Sequence, residues 1–515
     1  RHEQSAAHMA DGFGRVSRKP GVCFATSGPG ATNILTGLAT AQADSAPMIA
    51  VTGQVPVAMI GKDAFQESDI IGMANPVVKY SFQPRLPGEV PEAVRKGFYI
   101  AETGRPGPVL LDIPKDVQQN EAPMDFPDEF TIQGYHPWND PDVASVQKAV
   151  DMLVNSERPI ILAGGGTIIS SAFAELQSVA ETLMIPVVTT FKGKGAFPEN
   201  HPLSLGPIGM HGHAEANKMM AEADCVLAIG TRFSDRSVGT FEAFEKRLKI
   251  IHMDVDPAEI GKNQTTNIAV VGDVRASLRV MVKLLLQRSL KKSEDSVWIK
   301  HVRETKAYWK ENLKIHPGEM GAAKILRKLR ELLPKESVVT TEVGQHQMWA
   351  SLFYDVIQPG TFFSSTGLGT MGWGFPASIG AKVARPDVPV VDIAGDGSFS
   401  MTENSLATAV LEDIPVIVFV LNNSTLGMVA QWQRTFYDRR MIGVDQGGCP
   451  DYVKLAESYG AQGIRAQSMD ELDKAIKSAL SSDVATVIDI PIDPEEDVLP
   501  FVAPGTSLSD MILPS

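Results

Sequence analysis

The chain has 515 residues, of which 43% are hydrophobic and 21% charged, as in an ordinary globular protein, and its length favours three domains. Its 47 Lys and Arg against 61 Asp and Glu give a net charge of −14 without a basic cluster, which excludes nucleic acid and anionic membranes as expected partners. No apolar run reaches membrane-spanning length.

The cysteines and the first residues bear on the compartment and on the first domain. Cys23, Cys225 and Cys449 lie far apart and form no CxxC motif, which favours reduced thiols over disulfides or a metal site. We therefore expect a cytoplasmic enzyme. The chain starts at Arg1, without a signal peptide and within a predicted helix (1–17), which predicts an amino-terminally incomplete domain.

The first segment alternates predicted strands and helices. Residues 21–33 predict a strand, a glycine turn and a helix start, while 47–55 and 107–117 predict two further buried strands. Residues 120–142 are rich in acids, prolines and aromatics without periodicity, which is typical of an interdomain linker.

A middle α/β domain follows, with four predicted strand regions at residues 158–170, 186–195, 225–236 and 249–257. Three glycines, 164–166, come after the first of these strands and would let the backbone approach a phosphate or a ring. They lack the full GxGxxG pattern, so they indicate a dinucleotide site only weakly. A charged helical stretch, 289–312, leads into the last domain.

The last domain contains two predicted buried strands, Val388–Ile393 and Pro415–Leu421. Gly395–Ser398 predicts a tight turn with exposed backbone amides after the first strand, and an Asn-Asn pair follows the second. In a doubly wound sheet both lie at the carboxyl ends of adjacent strands, where ligands bind. The Asp396 carboxylate and the Asn423 amide oxygen would then be neighbours and would suit Mg²⁺ carrying a ligand's phosphates.

The spacing of these features repeats near the other end of the chain. Gly30 precedes Pro47 by 17 positions, and Gly397 precedes Pro415 by 18. We therefore expect two copies of one α/β unit that together bind a ligand.

Several motifs considered together are specific: TSGPGATN, GQV, DAFQE, GRPGPVLLDIPKD, GMHG, RFSDR, DVDP, EVGQHQMW, GLGTMGWG, GDGS, LNN and GMVAQWQ. On these motifs the whole chain resembles the catalytic subunits of the acetohydroxyacid synthase (acetolactate synthase) family of thiamine diphosphate enzymes. The resemblance implies an α/β fold with three doubly wound parallel-sheet domains. They are a pyrimidine-binding domain (1–119, amino-terminally incomplete), an FAD-binding middle domain (141–288) and a diphosphate- and Mg²⁺-binding domain (317–500).

The resemblance also implies the reaction and the partners. A transferase of this family condenses pyruvate, with loss of CO₂, with a second pyruvate or with 2-oxobutyrate. The products are 2-acetolactate and 2-aceto-2-hydroxybutyrate, for valine, leucine and isoleucine biosynthesis. The implied cofactors are thiamine diphosphate, Mg²⁺ and FAD. A homodimer or dimer of dimers with a small regulatory subunit is expected, without nucleic acid or membrane.

Site residues are carried over from the same resemblance. Glu3 matches the glutamate that bonds the aminopyrimidine of thiamine diphosphate, and Asp396, Asn423 and the Thr425 carbonyl match the Mg²⁺ ligands. The other matched thiamine diphosphate contacts are Pro29, Asn33, Gly344, Gln345, His346, Gly369, Met371, Gly397, Ser398, Gly427 and Met428. The matched FAD contacts are Arg105, Gly164, Gly165, Gly166, Thr190, Met210, His211, Gly230, Arg232, Asp235, Asp254 and Asp273. The matched residues of the substrate channel are Phe65, Gln66, Lys115, Arg236 and Trp432.

Two departures and three alternatives accompany this interpretation. The family's GxPGG-type turn before RHEQ is absent, and RFSDR stands where RFDDR is commoner. The alternatives are another thiamine diphosphate enzyme of pyruvate (an oxidase or a decarboxylase), a FAD-free catabolic acetolactate synthase, and a non-catalytic fragment that only dimerises. The HGH pattern at 211–213 has no acidic partner in the motif, which argues against a metal site there.

Overall fold

The computed structural model describes residues 1–127, 129–137, 140–239, 248–448 and 450–514. The chain forms two compact units. Unit 1 comprises Arg1–Pro137, Ser337–His346 and Phe363–Pro491. Unit 2 comprises Trp138–Glu336, Gln347–Phe362 and Ile492–Ser515.

Unit 1 begins with a four-stranded parallel sheet in the order β1-β2-β4-β3. Its strands are β1 (Gly21–Ala25), β2 (Met48–Gln54), β3 (Tyr80–Phe82) and β4 (Pro108–Pro114). Its helices are α1 (Glu3–Ser17), α2 (Pro29–Asn33), α3 (Leu35–Asp44), α4 (Ile70–Ala74), α5 (Val90–Glu102) and α6 (Lys115–Gln119). The β-branched and aliphatic residues of β2 and β4 are buried on both faces, as a strand covered by helices on both sides requires.

The predicted linker, 120–142, contains no helix or strand in its described residues. Part of it nevertheless packs on unit 1. The Tyr135 hydroxyl donates to the Thr103 carbonyl (2.7 Å), and its ring lies 6.0 Å from that of Tyr99. At Tyr135 the linker therefore packs against the end of α5.

A second, six-stranded sheet has the order β12-β11-β13-β14-β16-β15. Its strands are β11 (Val338–Thr341), β12 (Phe362–Ser364), β13 (Val390–Gly395), β14 (Ile417–Asn422), β15 (Gln462–Arg465) and β16 (Thr486–Pro491). Its helices are α15 (Gln345–Phe353), α16 (Gly374–Ala384), α17 (Asp396–Phe399), α18 (Leu406–Leu411), α19 (Gly427–Phe436), α20 (Tyr452–Ser458) and α21 (Met469–Leu480).

The two sheets of unit 1 share one topology. The order β1-β2-β4-β3 corresponds strand for strand to β13-β14-β16-β15, the last four strands of the second sheet. In both sheets a helix precedes the first strand of this set, α1 before β1 and α16 before β13. The repeat that was expected from glycine–proline spacing is therefore present in the fold.

A buried ionic cluster joins α1 to the second sheet. Arg15 forms two bonds with Asp11 (2.6 and 2.8 Å), pairs with Asp44 (3.1 Å) and donates to the Ser364 carbonyl (2.8 Å). Its guanidinium lies 4.3 Å from the centre of the Trp373 ring. Since Arg15 and both carboxylates are buried, each charge depends on its partners to offset desolvation.

Unit 2 contains a six-stranded parallel sheet in the order β10-β9-β8-β5-β6-β7. Its strands are β5 (Pro159–Ala163), β6 (Val187–Thr189), β7 (Ser204–Pro207), β8 (Cys225–Ile229), β9 (Lys249–Asp254) and β10 (Ile268–Val271). Its helices are α7 (Val143–Val154), α8 (Gly165–Ile169), α9 (Phe173–Leu183), α10 (Ala214–Glu222), α11 (Asp235–Val238), α12 (Val274–Gln287), α13 (Val297–Asn312) and α14 (Ala322–Leu332). A short antiparallel pair, β17 (Phe501–Val502) and β18 (Met511–Ile512), completes it.

The predicted α/β fold with three parallel sheets is confirmed, with two differences in detail. The short strands β3, β7, β10, β11, β12, β15, β17 and β18 were not predicted, because two to four residues carry little periodicity. The predicted glycine turn at Gly395–Ser398 is wrong, since Asp396 begins α17 directly and neither Gly395 nor Gly397 has positive φ. The three domain ranges remain predictions. Among the described helices, none is long and apolar enough to cross a membrane.

Candidate active site

Three neighbouring strands of the second sheet end at the same edge. β11 is parallel to β13, and β13 is parallel to β14. Because parallel strands have their carboxyl ends on one side, the segments that follow them lie at one edge. Gly344, Gln345 and His346 follow β11, Asp396 follows β13 and Asn423 follows β14. The residues matched to the diphosphate and to Mg²⁺ are thus placed at the same edge.

The buried Asp396 side chain has a carboxylate oxygen that could bind a cation. Asp396 is 4% exposed, and its Oδ2 has no hydrogen-bond partner in the described part of the chain. Burial raises the pKa of Asp396 to about 6, although the backbone N–H groups of Gly397, Asp396 and Asn423 act in the opposite direction. A buried carboxylate oxygen without a donor is costly unless a ligand satisfies it. A divalent cation fits this requirement.

A chain of amides fixes Asn423 beside this carboxylate. Asn423 Nδ2 donates to Gln345 Oε1 (3.2 Å), and Gln345 Nε2 donates to Gln431 Oε1 (3.0 Å). Asn423 Oδ1 accepts the Thr425 N–H (3.2 Å), while the Thr425 hydroxyl donates to the Val444 carbonyl (2.9 Å). The orientation of both matched Mg²⁺ ligands is therefore set by hydrogen bonds.

The His346 ring fills the space between two strand ends. Its Nε2 has no partner in the described residues, and burial lowers the pKa of His346 to about 3, so the ring is neutral. A Cβ on Gly395 would lie 2.5 Å from His346 Nδ1, and a Cβ on Gly344 would lie 2.8 Å from Cε1. Glycine stands at both positions because the ring occupies that space.

The other matched residues of this region lie around the same edge. Gly369 has a φ of +69°, with open space where a Cβ would be, and Met371 is half-buried. Gly427 begins α19, where a Cβ would lie 1.9 Å from Gln345 Oε1. Met428 follows it on the same helix.

Glu3 and Asn33, the residues matched to the pyrimidine, are in direct contact. Glu3 Oε2 accepts a hydrogen bond from Asn33 Nδ2 (3.1 Å), at the end of α2, which Pro29 begins. This bond and the backbone N–H of Glu3 lower the pKa of Glu3, so the carboxylate is ionised at neutral pH. A Cβ on Gly30 would lie 3.4 Å from Glu3 Oε1, so glycine leaves this oxygen accessible.

The loop that carries Gln66 is closed by Glu67. The Glu67 carboxylate accepts the backbone N–H groups of Gly61 and Ala64 (3.0 Å for Ala64), and these bonds lower the pKa of Glu67. Gln66 has a φ of +59°. A Cβ on Gly28 would lie 3.0 Å from Gln66 Cβ, so the loop approaches the turn before α2.

The remaining channel residues of unit 1 are accessible. Phe65 is 89% exposed, and Lys115 is exposed at the start of α6. Trp432 is half-buried on α19, with its ring 5.6 Å from that of Phe436. Trp432 contributes to a groove of about 480 Å³, whose lining includes Met428, Val429, Phe436 and Ile442.

In unit 2, each of the six strands of the middle sheet ends at or near a residue matched to FAD. These residues are Gly164 after β5, Thr190 after β6, Met210 after β7, Gly230 after β8, Asp254 at the end of β9 and Asp273 after β10. Arg232 follows Gly230 and is half-buried. Arg105 belongs to unit 1, where its Nε donates to the Ser45 hydroxyl (2.8 Å).

The three glycines after β5 also serve close packing within the protein. The Gly164 and Gly166 N–H groups donate to the carbonyls of Ile229 and Gly230 (2.8 and 3.0 Å). A Cβ on Gly164 would lie 2.3 Å from Gly230 O, and a Cβ on Gly165 would lie 2.6 Å from the Lys192 side chain. Glycine is required here because neighbouring loops of the protein pack closely against these residues. Two of the three N–H groups already donate hydrogen bonds within the protein.

Met210 and His211 contact the strand β17 of unit 2. The Met210 carbonyl accepts the Val502 N–H (2.8 Å), and the His211 ring lies 5.0 Å from that of Phe501. Burial lowers the pKa of His211 to about 3, and its Nδ1 has no partner among the described residues. Arg236 is 62% exposed beside Asp235, with Nη1 3.5 Å from Met210 Sδ.

Family models match all three parts of the chain. The thiamine pyrophosphate enzyme N-terminal TPP binding domain matches residues 1–73, and the central domain of the same enzymes matches 146–281. Their C-terminal TPP binding domain matches residues 342–490.

Comparison with individual proteins identifies one family among the thiamine pyrophosphate enzymes. A probable acetolactate synthase large subunit of Methanocaldococcus jannaschii is 47% identical over 523 residues, covering 100% of this chain and 88% of that relative. The chain belongs to the acetolactate synthase large-subunit family. Other acetolactate synthase large subunits, of Parasynechococcus marenigrum and Corynebacterium glutamicum, are 44% and 41% identical, over 100% and 99% of the chain and 84% and 83% of their own lengths.

As a member of the acetolactate synthase family, the protein is a thiamine diphosphate-dependent transferase, which confirms the expected family, reaction class and first cofactor. Sequence reasoning overlooked several residues that shape its site. Glu342 anchors the Gly372–Phe375 turn and Ser398, Gln431 holds Gln345, and Glu67 closes the Gln66 loop. Glu342 and Glu67 do stand in quoted motifs, EVGQ and DAFQE, as acids beside assigned residues.

Alanine substitutions at the two glycines of the GDG motif are expected to differ in their effect on cofactor binding. In Gly395→Ala the new Cβ meets the buried His346 ring at 2.5 Å, whereas in Gly397→Ala it meets Leu426 Cδ2, the mobile end of a side chain, at 2.7 Å. Overpacking of about 1–3 kcal/mol should weaken thiamine diphosphate binding by about 5- to 150-fold in Gly395→Ala. Gly397→Ala should weaken binding less than Gly395→Ala does, because the end of the Leu426 side chain can move.

Titration of tryptophan fluorescence with thiamine diphosphate at saturating Mg²⁺ measures both dissociation constants. Equal dissociation constants for the two variants would contradict the packing argument.

Proposed function

We propose that this enzyme condenses pyruvate, with loss of CO₂, with a second pyruvate or with 2-oxobutyrate, giving 2-acetolactate or 2-aceto-2-hydroxybutyrate. The observation that carries the proposal is the edge formed by β11, β13 and β14, where Asp396 offers an unsatisfied oxygen beside the fixed amide of Asn423. Mg²⁺ is proposed to bind Asp396, Asn423 and the Thr425 carbonyl and to anchor the diphosphate.

Thiamine diphosphate, when bound, supplies an electron sink at its thiazolium carbon. We assign to Glu3 the bond to the aminopyrimidine nitrogen. Its ionised carboxylate would accept a hydrogen bond from the protonated form of that nitrogen and so favour this form, and the bond from Asn33 holds the carboxylate in one orientation. Pro29 and Asn33 line the ring, and Gly344, Gln345, His346, Gly369, Met371, Gly397, Ser398, Gly427 and Met428 surround the rest of the cofactor.

The acceptor is proposed to contact two kinds of residue. The indole of Trp432 provides apolar surface in the groove on α19, which can distinguish the ethyl group of 2-oxobutyrate from the methyl group of pyruvate. The exposed guanidinium of Arg236 can form a forked pair with the carboxylate common to both acceptors. Gln66 and Lys115 are further polar residues of this channel.

FAD is proposed to bind along the carboxyl edge of the middle sheet, with contacts from the residues that follow its six strands. The buried, unpartnered Nδ1 of His211 fits a polar ligand edge at this place. Because the proposed reaction has no net redox change, the flavin would be bound without turnover. Gly165, Gly166, Arg232 and Asp235 complete the proposed set in unit 2.

The assembly and compartment follow the family expectation. We propose a homodimer or dimer of dimers that associates with a small regulatory subunit, in the cytoplasm. The proposal is supported by relatives that carry the name large subunit.

Product identification tests the proposed function directly. Purified protein with thiamine diphosphate, Mg²⁺ and FAD should convert pyruvate to 2-acetolactate, and should also form 2-aceto-2-hydroxybutyrate when 2-oxobutyrate is added. A redox-inert flavin analogue should preserve both products. Oxygen uptake matching product would instead indicate an oxidase, acetaldehyde a decarboxylase, and activity without bound flavin absorbance the FAD-free synthase.

Asp396→Asn tests the metal site. Loss of the anionic oxygen should weaken Mg²⁺-dependent thiamine diphosphate binding by about 100-fold, because the cation loses the one charged ligand that is proposed from the protein. Asp387→Asn is the matched control, since this aspartate is 63% exposed and forms an ion pair with Arg385. Isothermal titration at several Mg²⁺ concentrations measures the effect, and parental affinity in Asp396→Asn would disprove the assignment.

Trp432→Leu tests acceptor selection. The acceptors differ by one methylene, worth about 0.8 kcal/mol on burial and about 1–3 kcal/mol in a shaped pocket. The variant should therefore prefer 2-oxobutyrate over pyruvate about tenfold less than the parent, with 2-acetolactate formation from pyruvate largely kept.

Product ratios in mixtures of the two acceptors measure this preference. Tyr308→Leu, a change of an aromatic residue that is 56% exposed in unit 2, serves as control. An unaltered ratio in Trp432→Leu would refute the selectivity role.

A further inference from the structure

Glu342 is a buried carboxylate that directly follows β11. Its Oε2 accepts the Gly372 N–H (2.7 Å) and the Ser398 hydroxyl (2.8 Å), and its Oε1 accepts the Phe375 N–H (2.9 Å). Ser398 Oγ also lies 3.3 Å from the Gly372 N–H, so the three groups form one closed network. These bonds join the end of β11 to two other segments of unit 1.

Each joined segment carries residues assigned to thiamine diphosphate. Gly344 to His346 begin two residues after Glu342 on the same backbone. Gly369 and Met371 immediately precede Gly372. Ser398 belongs to α17, which begins with Asp396. One side chain therefore links three of the segments of the second sheet that are assigned to the cofactor.

We propose that Glu342 is a positioning residue for thiamine diphosphate, and that its carboxylate holds the end of β11, the Gly369–Gly372 turn and α17 at the spacing that the diphosphate requires. This role rests on the proposed cofactor site. Glu342 acts through the groups that it holds, because its oxygens are already occupied by protein donors. Preorganised binding groups raise affinity because less ordering remains to occur on binding.

A second buried acid, Asp392, lies within electrostatic reach of Glu342. Asp392 is fully buried in β13, accepts only the Thr340 hydroxyl (2.9 Å) on Oδ1 and has no described partner on Oδ2. Burial and the nearby charge of Glu342 raise the pKa of Asp392 well above its ordinary value, which favours the uncharged form of Asp392. Burial also raises the pKa of Glu342, to about 7, while its donors act against this shift.

Replacing the carboxylate by an amide should disturb this network. In Glu342→Gln one oxygen becomes an NH₂ group that faces a backbone N–H, of either Gly372 or Phe375, and that bond is lost. The Ser398 hydroxyl can rotate to accept instead. We expect the dissociation constant of thiamine diphosphate, measured on the full chain by isothermal titration with Mg²⁺, to rise at least tenfold.

Two further variants separate positioning from general stability. Glu496→Gln changes another buried carboxylate, one that accepts the Ala322 N–H in unit 2, and should leave the dissociation constant within twofold. Ser398→Ala removes one donor from Glu342 and should raise the constant about three- to tenfold. The double variant with Glu342→Gln should raise the dissociation constant by less than the product of the two separate fold-changes, because both changes break one network.

The outcomes are distinct. If the parent binds thiamine diphosphate and Glu342→Gln changes its dissociation constant less than twofold, the positioning role is overturned and the proposed function stands. An effect no larger than that of Glu496→Gln, or full additivity with Ser398→Ala, also overturns it. If the parent fails to bind thiamine diphosphate with Mg²⁺, the proposed cofactor site is wrong, and this role fails with it. Should Glu342→Gln not fold, Ser398→Ala with unchanged affinity would still overturn the role.

Discussion

The parallel pairing of β13 with β14 is the constraint on which the site depends. Gly395 lies opposite Leu421 in this register, so the next residues of both strands leave the sheet at one edge. A shift by one residue would turn every side chain of a strand to the other face. The register thus decides that Asp396 and Asn423 point into one neighbourhood. The β-branched and aromatic side chains within the strands stabilise it through burial on both faces.

Close packing at the strand ends then limits which residues can stand there. His346 fills the space that a side chain at Gly395 would need, and the carbonyl of Gly230 fills that of Gly164. The two cases differ in what the packing achieves. At Gly395 the packing places the His346 ring between the ends of β11 and β13, whereas at Gly164 it joins two loops of the middle sheet. A glycine-rich motif alone does not distinguish these cases.

Much of the architecture could be predicted from the sequence, because it rests on local patterns. Long apolar runs such as 388–393 marked buried strands, and the glycine–proline spacing marked the repeated unit, whose shared strand order the structure shows. Three-residue strands such as β3 lacked enough residues for a pattern. The assignment of Glu3 required the resemblance, since an acid at the start of a helix is common.

Interactions between distant segments were beyond local reasoning. The importance of Glu342 lies in donors 30 and 56 positions away, Gly372 and Ser398, and nothing in its own neighbourhood predicts them. The use of the N–H groups of Gly164 and Gly166 depends likewise on β8, about 60 residues later in the chain. Such contacts arise from the order of strands in a sheet, which periodicity does not encode.

The packing of α1 on α16 has a consequence for the nascent chain during its synthesis on the ribosome. The bond from Trp373 Nε1 to Asp11 joins residues 362 positions apart, and Gly380 lies against the backbone of Met9. At a translation speed of about 5–20 residues per second, α1 leaves the ribosome about 20–70 s before its partner. During that interval Arg15 and Asp11 lack their contacts with Trp373, and the backbone of α1 at Met9 lacks its contact with Gly380. Slow or interrupted synthesis downstream therefore prolongs the exposure of a helix that the finished fold buries.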